Sequence, residues 1–63
     1  MDKKEALKIV KNDGEELKNL PDHFKKDKEI VLEAVKNDGN AIEFADKALK
    51  KDPDILKILE SSE

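Results

Sequence analysis

The sequence predicts an all-α protein, a small bundle of about five short helices from two 25-residue helical repeats plus a closing helix. Three observations carry that prediction. Apolar residues recur at i, i+3 and i+4 along three stretches, which is the spacing of a helix face and not of a strand. An aspartate precedes each stretch, at Asp2, Asp27 and Asp52, each 25 residues after the last. The phrase Val-Lys-Asn-Asp-Gly occurs twice, over 10–14 and 35–39, at the same 25-residue offset.

The first helix is expected over about 3–12, with Ala6, Leu7, Ile9 and Val10 on its apolar face. Asp2 caps it, since a carboxylate at that place accepts an orphan backbone N–H, and Asp2 with Glu5 has the spacing of a capping box. Lys-Asn-Asp-Gly then ends the helix. Gly14 and Gly39 are the only glycines, and each stands where a long helix should stop in a left-handed residue that penalises a Cβ. The same phrase also has the residue types of a calcium loop. With either glycine at the sixth position, however, the first ligand position falls on Ile9 or Ala34, so that register fails. A short piece over 15–20 offers Leu17 and Leu20, Pro21 breaks it, and a further turn ends at Phe24.

The second unit repeats this order. Asp27 caps a helix over about 28–37 that carries Ile30, Val31, Leu32, Ala34 and Val35, and a short piece over 40–45 carries Ala41, Ile42, Phe44 and Ala45. From there either Asp46 recaps the chain or the helix runs on to Lys50. Phe24 and Phe44, the largest apolar groups, are both expected in the core. The closing helix, about 53–60, is capped by Asp52, and it opens on Pro53, a favoured first helical residue. Its face is Ile55, Leu56, Ile58 and Leu59. Overlaying 1–25 on 26–50 without gaps gives identity at Asp2, Lys3, Leu7, Val10, Lys11, Asn12, Asp13, Gly14 and Lys25. The chain therefore divides as one domain, 1–63, into repeat one (1–25), repeat two (26–50) and a closing helix (51–63). Its structural residues are Asp2, Gly14, Asp27, Gly39, Phe44, Asp52 and Pro53.

The run from Asp27 to Ala45 reads D-K-E-I-V-L-E-A-V-K-N-D-G-N-A-I-E-F-A. It resembles a tandem helical repeat family, domain of unknown function 4116, whose phrase is D-x-E-[VI]-V-L-x-A-V-x-x-[DN]-G-x-A-[LI]-x-[FY]-A. The resemblance is close over 27–52 and looser over 2–26, where Glu16, Asn19 and Leu20 replace the expected Ala, aromatic and Ala. It implies a mostly helical array within larger proteins and brings no catalytic residue and no ligand. A near-verbatim repeat with lysine as the only basic residue fits an AT-rich genome. It fits equally an idealised, consensus-type or de novo designed protein without native function, since strong caps and glycine stops are design practice.

Composition narrows the function. Charged residues make up 46% and hydrophobic ones 37%, near the border with disorder, so the apolar spacing decides for folding. There is no cysteine, which excludes disulfides, thiolate metal sites and cysteine catalysis. The net charge of −3 lacks the basic excess of a duplex-binding domain. No apolar run is long enough for a signal-peptide core or a membrane helix, so a cytoplasmic setting is the default and no membrane partner is expected.

Candidate chemistry is sparse. His23 is the only histidine, and the only hydroxyls are Ser61 and Ser62, too little for an oriented nucleophile and base. The acidic pairs Glu15-Glu16 and Asp52/Asp54 stand at helix starts, where negative charge suits the dipole. Glu43 with Lys47 and Glu33 with Lys36 have helix-pair spacing that supports helicity. Lys25, Lys26 and Lys28, with Lys47, Lys50 and Lys51, form two lysine-rich corners one repeat apart. They read as solvated faces or as a weak nucleic-acid contact, without the Arg forks or aromatic platforms that such contacts use. The expectation is a monomeric, non-catalytic structural or protein-interaction module with an unidentified protein partner, no cofactor and no metal.

Overall fold

A carboxylate at each long-helix start fixes where that helix begins. Asp2 Oδ1 accepts from the Glu5 N–H at 2.8 Å, Asp27 Oδ1 from Glu29 at 3.0 Å and Asp52 Oδ1 from Asp54 at 2.9 Å. The computed structural model describes residues 1–61, with side chains through Glu60. In chain order these residues form α1 (Lys3–Asn12), the 3-10 helix η1 (Gly14–Asn19), α2 (Asp22–Lys25), α3 (Lys28–Asn37), the 3-10 helix η2 (Gly39–Phe44), α4 (Lys47–Lys50) and α5 (Pro53–Ser61). The protein is all-α, with no strand among the described residues. Both expected short pieces are 3-10 helices, each followed by a single α-turn. The choice at Asp46 is also resolved. Ala45 is extended at φ −78, ψ 159, and the Asp46 carboxylate recaps the chain on the Ala48 N–H at 3.2 Å.

The two glycines work differently from the sequence expectation. Neither has a positive φ, so neither ends a helix in the left-handed region. The turn is made by the residue before each of them. Asp13 is extended at φ −150, ψ 106. Its N–H donates to the Ile9 carbonyl to close α1, and its carboxylate caps η1 on the Glu15 N–H. Asp38 does the same between α3 and η2. Gly14 is required by contact: a Cβ there would lie 2.3 Å from the Ala34 carbonyl oxygen and 3.0 Å from Asp38 Cβ. At Gly39 the nearest atom to a Cβ is Leu59 Cδ2 at 3.4 Å, an ordinary contact.

α3 lies between α1 and α5, and η1 packs on η2. The central helix therefore buries two faces, through Ile30, Val31, Ala34 and Val35. α1 buries only Ala6 and Val10, and α5 buries Ile55. The remaining core is Leu17, Leu20, Phe24, Ala41 and Ala45, with no buried polar or charged residue among those described. Phe24 is buried, but Phe44 is only partly so. The expectation that both rings anchor the core therefore holds for Phe24 alone. Phe44 ends η2 at the molecule's edge, one residue before the extended Ala45.

Links between the units recur at the 25-residue offset. Lys3 Nζ meets Asp27 at 3.2 Å and Glu29 at 2.9 Å, and Lys28 Nζ meets Asp52 at 3.4 Å and Asp54 at 2.6 Å. Hydrogen bonds that the Lys3 ammonium donates to Glu29 and then to Asp27 raise it above its ordinary value, and the bond to Asp54 does most to raise Lys28. The same Lys28 contact lowers the Asp54 carboxyl. Asn37 clips α1 to α3: its Oδ1 accepts from the Gly14 N–H at 2.8 Å and its Nδ2 donates to the Lys11 carbonyl at 2.9 Å. At the short-helix end, the Asp46 N–H donates to the Lys25 carbonyl at 3.1 Å.

Candidate functional site

That Asp46–Lys25 bond brings α2 and α4 together and opens a groove of about 390 Å³ between them. The local sequence explains what lines it. In the single turn Asp-His-Phe-Lys of α2, burial of Phe24 turns the chain so that Lys25 and the following Lys26 reach the groove. In Lys-Ala-Leu-Lys of α4, Leu49 packs partly against the core, and Lys47 and Lys50 flank it. Phe44 and Ala45 supply apolar surface between the two turns.

The groove carries four ammonium groups against two carboxylates, those of Asp22 and Asp46, in a protein whose net charge is −3. The lining therefore keeps a positive excess of two charges (four less two). Asp46 also caps α4. Asp22, whose side chain is 92% exposed, stands 3.9 Å from Lys25 Nζ. Among the described residues, Lys26, Lys47 and Lys50 have no ion pair within 4.0 Å, whereas Lys3, Lys28 and Lys36 each have one or two. The Lys18 ammonium sits 5.9 Å from the centroid of the Phe44 ring, in cation–π range. Thus Lys25 and Lys26 of one corner and Lys47 and Lys50 of the other meet on one groove, whereas Lys28 is drawn off to Asp52 and Asp54 and Lys51 is not part of the lining.

Sequence reasoning missed Phe44 as part of this surface. The signal was there: the residue 25 positions earlier is Asn19, which is exposed, so the position does not demand an apolar residue.

The other expected residues lie apart from the groove floor. His23 is exposed and lies against Phe24, ring centroids 4.1 Å apart at 44°. Asp2, Asp27 and Asp52 cap helices, and Pro53 opens α5. Gly14 and Gly39 begin the two 3-10 helices. The Ser61 side chain and Ser62 lie outside the described residues. Among the described residues no three His, Cys, Asp or Glu side chains gather as a metal set, and no buried side-chain nitrogen or oxygen lacks a partner. A second, smaller depression on α1 is lined by Asp2, Lys4, Glu5 and Lys8. Its charges balance and it has no apolar floor. No described helix is long and apolar enough to cross a membrane.

A family model described as "Domain of unknown function (DUF4116)" matches residues 2–50. No curated protein and no solved structure matches the chain.

Proposed function

Because the chain belongs to the DUF4116 family, a family of unknown function, we propose that it is a non-catalytic stack of helical repeats that holds another protein through the groove between α2 and α4. The observation that carries this reading is the meeting of the two lysine corners on one partly apolar groove. Stacked repeats align equivalent positions of successive units into a continuous surface. The 25-residue offset does that here for Lys25 and Lys50.

An all-apolar core supports the non-catalytic half of the reading. Acid–base catalysts are tuned by burial or by close charge partners in a cleft. Here the groups with displaced protonation, Lys3, Lys28 and Asp54, belong to exposed ion pairs that join helices. The lack of base-reading arginine favours a protein partner over nucleic acid, and the single chain is proposed to act as a monomer.

A peptide array of varied charge and apolar content tests this. Wild-type protein should retain a subset of peptides, and a Lys25→Glu/Lys50→Glu variant of unchanged helicity should lose them. Retention of no peptide, or of the same peptides by both proteins, would reject the groove as the contact face.

A further inference from the structure

We propose that the groove takes a short acidic linear segment carrying one large apolar side chain, an assignment that rests on the protein-binding reading above and specifies its partner. The apolar side chain would lie on Phe44 and Ala45, and the flanking carboxylates would meet the lysines of α2 on one side and those of α4 on the other.

Charge is the first argument. Lys26, Lys47 and Lys50 are exposed and, among the described residues, without a carboxylate within 4.0 Å, although the protein has more acidic than basic groups. Four ammonium groups and two carboxylates line one depression, and an anionic partner offsets the positive excess. Size is the second. About 390 Å³ is at the lower end of ligand-pocket volumes, enough for one anchoring side chain and its neighbours and too little for the edge of a folded domain. The third argument is the floor, where the partly buried Phe44 ring and the largely buried Ala45 line the groove between the charges, which suits an occupant apolar at its middle and acidic at its flanks.

The same features weigh against a nucleic-acid strand. Base stacking uses successive open aromatic faces, whereas the groove has one partly buried ring that already faces the Lys18 ammonium. Every basic residue of the chain is lysine. A lysine ammonium is a point charge that meets a carboxylate without the planar fork that arginine brings to bases and phosphates.

Fluorescence anisotropy with the full chain tests the assignment. The probe is a short labelled peptide with one leucine between flanking glutamates and aspartates. Comparison probes replace the leucine by serine, replace the acids by lysines, or substitute an oligothymidylate strand. The acidic leucine peptide should bind most tightly and weaken roughly tenfold from low to high salt, as screening of exposed charges requires. The serine peptide should bind more weakly, and the lysine peptide not at all. Lys26→Gln/Lys50→Gln should lose roughly tenfold in affinity, whereas Lys8→Gln/Lys11→Gln, the same charge change on α1, should not. Circular dichroism of both variants checks that each is folded. Oligothymidylate binding above the acidic peptide, equal loss in the α1 variant, or no binding by any probe at low salt would overturn the proposal. Binding of the serine or lysine peptides with equal strength, still lost in Lys26→Gln/Lys50→Gln, would overturn it while leaving the groove a protein-contact face.

Discussion

Gly14 shows how one residue is chosen by its neighbour and not by its own backbone angles. Its φ is not positive, so another residue could adopt the conformation. What excludes a side chain is the carbonyl oxygen of Ala34, 2.3 Å from where a Cβ would stand. Close approach also lets the Gly14 N–H reach Asn37. Gly14→Ala must push α3 away and should destabilise by about 1–3 kcal/mol. Gly39→Ala meets only the end of the Leu59 side chain, and should stay within about 1 kcal/mol of the parent. Paired thermal melts of the two variants check this, and equal losses would contradict it. The identity of the two glycines in sequence hides this difference, because the atom that decides it lies 20 residues away in one case and in the closing helix in the other. Phe44 was hidden for a related reason: periodicity marks it as apolar but does not say which edge of the core it reaches.

The elements were legible where a carboxylate or a proline punctuates them. The expected bounds 3–12 and 28–37 agree with α1 and α3, and α5 runs one residue past the expected 60. The 3-10 form of η1 and η2 was not legible. Leu17 and Leu20 at i and i+3 suit a 3-10 turn as well as an α-turn, and extended Leu20 and Ala45 end each segment after six residues. The joints between long helices carry a pH signature. Lys3 and Lys28 are raised above the ordinary 10.5, so their contribution is complete below 10.5 and is lost as pH rises through the raised values. Asp54 is held below the ordinary 3.8 by Lys28, so its contribution is present above 3.8 and is lost as pH falls through the lower value. The melting temperature should therefore fall off in strong acid and strong alkali with a plateau between. Asp54→Asn should shrink the acid limb, and an acid limb identical to that of the parent would contradict the Lys28–Asp54 contact. These pairs lie at the surface, partly open to solvent, so the effect is small and salt-sensitive.

At the scale of the whole molecule, the arrangement separates what holds the protein together from what it presents. The apolar stripes of α1, α3 and α5 and the lysine clamps at their N-terminal ends are used internally. The single-turn helices α2 and α4 contribute Phe24 and part of Leu49 to packing and leave their lysines outward. The lysine corners were readable in the sequence as two groups 25 residues apart, and four of those lysines line one groove. That the groove also has an apolar floor depends on Ala45 turning extended at the end of η2, which no spacing rule signals. The central claim is that this groove is the contact face for an acidic partner segment. Amide chemical-shift mapping of the chain during titration with the acidic leucine peptide tests it most directly. Shifts should concentrate in α2, in Phe44, Ala45 and Asp46, and in α4. Shifts centred on α1 or on the outer side of α5, or an unchanged spectrum at saturating peptide, would contradict it.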